Sequence, residues 1–237
     1  LSPKNLFNIA ILLLLLLVSC NSEDSNSLTA SPEDNNYNIL SLGDSYTIGE
    51  SVCNTCKFPE QLKDSLIENF DESETIGLKV IAQTGWTTTN LKSAIESADL
   101  NSRYDLVTLL IGVNNQFQGK PFSIYEEEFP ELVNTAISLA GEDKSNLIVV
   151  SIPDYAFTPF GQNRDNPENI SAEIDSYNDF AKNYCEANDI TFVNITDITR
   201  EGLNNTDLVA TDGLHPSELA YSKFVERLLP IAMEKIE

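Results

Sequence analysis

Five short apolar runs, each followed by a stretch of helical periodicity, set the narrowest limit on how this chain folds. The runs are Ile39–Leu42, Leu78–Ala82, Leu106–Ile111, Leu147–Ile152 and Ile190–Ile195. Leu106–Ile111 reads Leu-Val-Thr-Leu-Leu-Ile, apolar almost throughout, as a strand buried on both faces must be. Between the runs, Phe58, Leu62, Leu66, Ile67 and Phe70 recur at helical spacing, as do Phe129, Leu132, Val133, Ala136, Ile137 and Ala140. Shorter helical patterns cover 91–98 and 174–185. A last helix carries Tyr221, Phe224, Val225, Leu228, Leu229 and Ala232, with Pro230 expected to kink its final turns. Strands that alternate with helices join in parallel, so the predicted fold class is α/β, three layers around a five-stranded parallel sheet. Glu126-Glu127-Glu128 reads as a solvated helix face, and the long segment Pro153 to Glu168 as a loop of the kind that lines sites.

Ahead of the first strand the composition changes twice. Lys4 precedes an apolar run from Ile9 to Val18 that is too short to span a bilayer as a mature helix. The run ends in Leu17-Val18-Ser19-Cys20, which resembles a bacterial lipobox. Residues 1–19 are therefore expected to be a lipoprotein signal, with Cys20 acylated and the protein exported and held in the cell envelope by that lipid. The plainer reading is a secretory signal cut nearby, with Cys20 incidental. Residues 20–36, mostly Ser, Asn, Asp and Glu, bury too little to fold and read as a flexible tether. The folded domain is placed at 37–237. The charge of the whole chain is strongly negative: 37 acidic against 14 basic side chains, net −23. That excludes nucleic acid as an expected partner and leaves membrane contact to the lipid anchor alone.

The chemistry-bearing residues sit where strands end. Gly43-Asp44-Ser45 follows the first run and reads as a sharp strand-to-helix turn holding a serine hydroxyl near a helix N-terminus. The bland alternative is that Asp44 or Ser45 simply caps the next helix. Thr84-Gly85-Trp86 follows the second run, Gly112-Val113-Asn114-Asn115 the third, and Asp212-Gly213-Leu214-His215 comes after the fifth. In open parallel sheets, ligands bind outside the carboxyl ends of the strands. His215 is the one histidine in the chain. A lone histidine is by default structural, but here a carboxylate three residues earlier is placed to orient the ring toward a serine. A metal site built on several imidazoles is excluded.

These blocks together resemble the GDSL/SGNH hydrolase family, from about Tyr37 to the C-terminus. Gly43-Asp44-Ser45 matches its nucleophile block, Gly85 its second, Gly112-Val113-Asn114 its third and Asp212 to His215 its Asp-x-x-His block. The resemblance implies a flavodoxin-like sheet and a Ser45–His215–Asp212 triad. It also implies an oxyanion hole from the backbone N–H groups of Ser45 and Gly85 with the Asn114 amide, and ester hydrolysis without a cofactor. The family usually carries Asp after the block-three asparagine; here Asn115 stands there. The substrate is expected to be a small or carbohydrate-linked acyl ester. A longer lipid acyl ester, or an inactive lipoprotein that binds a glycan or partner, are the alternatives. Tyr46, Trp86, Tyr155, Phe157 and Phe160 are candidates to floor a pocket, or else loop packing. Cys53 and Cys56 are expected to form a local disulfide in an exported protein. A redox role for the pair lacks a thioredoxin-like context.

Overall fold

The computed structural model describes residues 36–70 and 74–236. The proposed signal, Cys20 and all but the last tether position fall outside them. Five parallel strands form one sheet in the order β2-β1-β3-β4-β5. They are β1 (Asn36–Gly43), β2 (Thr75–Ala82), β3 (Leu106–Leu110), β4 (Leu147–Val150) and β5 (Thr191–Val193). Every residue of β3 and β4 is buried, which is why both are near-continuous runs of Leu, Ile and Val. At the edge, β2 alternates exposed and half-buried positions and tolerates Lys79. Thr108 is the polar exception in β3. Its hydroxyl donates to Ser41 Oγ at 2.9 Å, at the partnered position of β1, so two buried hydroxyls satisfy one another.

The larger helices are α2 (Phe58–Asn69), α3 (Thr88–Ser97), α5 (Phe122–Leu139), α7 (Pro167–Ala187) and α9 (Glu218–Ile236). α2 packs on α9, while α3 packs on α5 and α5 on α7, so the sheet lies between two helical layers. Phe58, Leu62 and Leu66 of α2 meet Tyr221, Phe224 and Leu228 of α9, all buried. α9 stays helical through Pro230 to Ile236, so the proline removes one backbone donor without ending the helix. α5 likewise contains Pro130.

Four short helices escaped the periodicity reading: α1 (Ser45–Ile48), α4 (Val113–Phe117), α6 (Pro159–Gln162) and α8 (Thr196–Arg200). None is long enough to show a repeat of 3.6. The segment 153–168 is not a bare loop, since it holds a 3-10 turn at Tyr155–Phe157 and α6. Nor is Glu128 merely solvated: its carboxylate accepts from the Thr88 and Thr89 hydroxyls at the start of α3, the latter at 2.8 Å. Among the described residues no helix is long and apolar enough to cross a membrane.

Candidate active site

The strand order reverses at β1, whose neighbours β2 and β3 are reached by separate crossovers, and this opens a crevice at the strands' carboxyl ends. Ser45 stands there, two residues past the end of β1. Gly43 is required by space: a Cβ there would lie 2.1 Å from Thr47 Oγ1 and 2.4 Å from the Leu110 carbonyl. Asp44 then caps α1, its Oδ1 accepting from the Tyr46 N–H at 3.0 Å. Ser45 is thus the first helical residue, and its own N–H has no acceptor within the helix. Asp44 is fully buried, with the Asn114 amide beside its carboxylate. Burial pushes its carboxyl up to about 7, against the opposing effects of hydrogen bonds from the backbone of Tyr46 and Asp44 and from the Asn114 amide.

The next two turns are tied together. Gly85 lies in a turn closed by Trp86 N–H donating to the Gln83 carbonyl at 3.2 Å. Its φ of +85° is what calls for glycine, since nothing stands within 4 Å of where a Cβ would be. Asn114, in α4 after β3, donates from Nδ2 to the Trp86 carbonyl at 3.0 Å. Gln118 Nε2 donates to the Gly85 carbonyl at 2.8 Å. An amide carries two N–H donors, so Asn114 keeps one beyond the bond to Trp86. Asn115, the departure from the family pattern, is fully buried. Its Oδ1 accepts from Thr88 N–H at 3.0 Å and its Nδ2 donates to Thr88 Oγ1 at 2.7 Å, fastening the start of α3.

His215 arrives from the far end of the chain on a loop pinned by Ala210 N–H to the His215 carbonyl at 2.8 Å and by an antiparallel bridge between Val209 and Pro216. Its Nδ1 lies 2.6 Å from Asp212 Oδ2. Asp212 Oδ1 accepts from the backbone N–H groups of Leu214 at 2.9 Å and His215 at 3.0 Å. Burial works to raise the Asp212 carboxyl, but hydrogen bonds from Ser51, His215 and those two backbone groups outweigh it and hold it well below the ordinary carboxylate range.

Ser45, Gly85, Asn114 and His215 line one cavity of about 170 Å³, together with Tyr46, Thr84, Val113, Phe117, Tyr155 and Leu214. Among the described residues Ser45 Oγ makes no hydrogen bond to the imidazole; the two share the cavity wall. Such contacts are commonly long in the absence of substrate. Of the candidate aromatics, Tyr46 and Tyr155 reach the cavity, whereas Trp86, Phe157 and Phe160 pack against the core. Sequence reasoning missed Phe117, which lines the cavity with 43% of its surface exposed, because a five-residue helix shows no periodicity. It also missed Ser51, a common residue in a loop with no local signature. Cys53 and Cys56 are joined by a disulfide, and Cys185 is free and buried, its thiol pushed up to about 12 chiefly by that burial. Among the described residues no group of three or more His, Cys, Asp and Glu is placed to hold a metal ion.

A hydroxyl at a helix start, an imidazole braced by a carboxylate, and N–H donors around one cavity are the equipment of acyl transfer. On a five-stranded parallel sheet between helical layers, they define a three-layer α/β/α hydrolase of the SGNH type. Residues 41–223 match the GDSL-like lipase/acylhydrolase family, and the chain belongs to it. It is a GDSL-type hydrolase acting on ester bonds. Among solved structures, a variant of Axe2, an acetyl xylan esterase from Geobacillus stearothermophilus, is similar at 20% identity with a TM-score of 0.63, covering 84% of this chain and 96% of that one. A lipase/acylhydrolase from Enterococcus faecalis is similar at 18% identity and TM-score 0.63, covering 82% and 94%. A psychrotrophic esterase, EstA from Pseudoalteromonas sp., follows at 16% identity and TM-score 0.57, covering 83% and 97%. Among curated proteins none matches the sequence.

Proposed function

We propose that this hydrolase cleaves short acyl esters, small or carbohydrate-linked, through a Ser45–His215–Asp212 triad. His215 takes the Ser45 proton as the serine oxygen attacks the ester carbonyl. The oxyanion forms against the N–H groups of Ser45 and Gly85 and the Asn114 amide. The imidazolium then protonates the departing alcohol, and water, activated by the same imidazole, releases the acid. The observation that carries this reading is the shared cavity: Ser45, Gly85, Asn114 and His215 meet around about 170 Å³. A cavity of roughly 150 Å³ holds a benzene-sized group, so this one suits an acetyl or similar acyl group better than a long chain. The likeness to a protein described as an acetyl xylan esterase supports a carbohydrate alcohol. The lipobox-like Leu17-Val18-Ser19-Cys20 supports export and acylation at Cys20.

An ester panel from acetyl to long-chain, including acetylated xylo-oligosaccharides, tests it. Acetyl esters are expected to be the best substrates, a fluorophosphonate to label Ser45 alone, and Ser45→Ala and His215→Ala to abolish turnover in a folded protein. Substantial hydrolysis by folded Ser45→Ala would overturn the triad. A preference for long acyl chains would overturn the substrate.

A further inference from the structure

The segment between α1 and α2 holds a group the triad does not account for. Gly49 ends α1 in the left-handed conformation with φ 76°, and two residues later Ser51 repeats it with φ 66°. A side chain in that region costs on the order of 1 kcal/mol or more and persists only where its surroundings hold it. Here Glu50 N–H donates to the Ser45 carbonyl at 3.0 Å, and Val52 N–H to the Gly49 carbonyl at 3.3 Å. The Glu50 carboxylate accepts from the Thr84 hydroxyl, and the Cys53–Cys56 disulfide closes the loop directly behind. The outcome is that Ser51 Oγ donates to Asp212 Oδ2 at 2.6 Å, from 161 positions away in the chain.

Asp212 receives four donors. Oδ1 is held by two backbone N–H groups of its own turn, and Oδ2 takes His215 Nδ1 and Ser51 Oγ. Ser51 is the one donor from outside the 212–215 turn, so it alone ties the carboxylate to the segment that carries the nucleophile. It does not line the cavity and touches no reacting atom. We infer that Ser51 is a positioning residue: its hydroxyl fixes the Asp212 carboxylate behind His215 and keeps the imidazole aligned with Ser45. The inference rests on the triad proposed above. Removing the hydroxyl frees one side of Oδ2 and leaves its charge shared with fewer donors. The imidazolium is then held more strongly while its orientation is less well defined.

The other titratable groups facing the pair are unchanged by such a substitution. Tyr46 stands edge-on to the imidazole with ring centroids 5.7 Å apart. Tyr155 and Asp154 line a small hole together with His215. Tyr221 feels Asp44, Asp212 and Glu50.

The test is Ser51→Gly, because glycine accepts a positive φ and separates the hydroxyl from the backbone. With acetate release from p-nitrophenyl acetate as the readout, kcat should fall about tenfold, the loss of one hydrogen bond to a charged group, with KM little changed. The acid limb of kcat/KM against pH should move up by roughly half a unit. The melting temperature should hold or rise. Ser51→Ala lacks the hydroxyl but keeps a Cβ, so it should show the same losses; recovery by Ala would assign the effect to loop flexibility and overturn the inference. Wild-type kcat with a superimposable pH profile in both variants would overturn it too. Fluorophosphonate labelling keeps the two readings apart. If wild type is not labelled on Ser45, the triad fails; if it is labelled while the Ser51 variants behave as wild type, only Ser51 is removed.

Discussion

Asn114 and Asp44 show how much a single buried polar group near Ser45 depends on its partners. Asn114 spends one N–H on the Trp86 carbonyl, which orients the other. Asn114→Ala should keep the fluorophosphonate site yet lose on the order of 100- to 1000-fold in kcat. A loss below tenfold would take Asn114 out of the oxyanion hole. Asp44 is held for a different reason, as the cap that starts α1, and carries a carboxyl raised to about 7 because burial outweighs its hydrogen bonds. The sign for stability follows. Between about pH 4, where an unfolded aspartate ionises, and 7, the native state binds the extra proton. Asp44 therefore contributes stability that is lost as pH rises through that window. In denaturant titrations from pH 5 to 8, wild type should lose stability more steeply than Asp44→Asn. Parallel slopes would mean Asp44 is ionised in the native protein throughout.

At the level of elements, the start of α3 explains why Asn115 fits here where relatives of this kind usually carry Asp. Thr88 Oγ1 donates to Glu128 of α5, so it meets residue 115 as an acceptor, and the Asn115 amide N–H supplies a bond that an ionised carboxylate lacks the proton to make. Asn115→Asp would place a buried carboxylate beside the half-buried Glu128 with one hydroxyl proton between them. It should destabilise the protein by about 2 kcal/mol, and Glu128→Gln in the same chain should recover part of that. Chemical denaturation of the single and double variants measures it; additive losses would break the coupling. The Cys53–Cys56 clip acts on a neighbouring element. Closing so short a loop removes about 2 kcal/mol of chain entropy at most. Cys53→Ser/Cys56→Ser should lower the melting temperature by a few degrees and leave hydrolysis within a few-fold of wild type, since α2, packed on α9, holds the far end of the segment. Complete loss of activity in a folded double variant would give the clip a larger role.

For the whole molecule, the parallel sheet gathers turns after β1, β2 and β3 with the 212–215 loop at one edge. No two of those turns are near in sequence, so the cavity exists only once all five strands have paired. Destabilising either helical layer should therefore reduce activity in step with the folded fraction, not before it. Leu228→Ala in α9, fully buried, should cost about 2 to 5 kcal/mol, with activity and secondary structure lost together on heating. Activity disappearing well below the unfolding transition would show that the site opens independently. Outside the described residues, acylation of Cys20 should appear by mass spectrometry as a lipid-modified N-terminal cysteine when the protein is exported with its own leader, and Cys20→Ala should abolish it. An unmodified N-terminus elsewhere would refute the anchor.

The sequence alone determined the fold class, because an apolar run buried on both faces must be continuous, and alternation with helices leaves parallel pairing as the outcome. It also marked the candidates for chemistry, since a lone histidine three residues after an aspartate, together with serine, glycine and asparagine at strand ends, is read locally. Tertiary structure decided what those residues face. Ser51, Thr88 and Glu128 carry no local signal; their roles arise from contacts 27 to 161 residues apart along the chain. Phe117 rather than Trp86 or Phe160 lines the cavity because the orientation of a short helix is set by what it packs against. Asp44, a capping residue by sequence, becomes a raised carboxyl because burial is a property of the assembled sheet and not of the Gly-Asp-Ser turn.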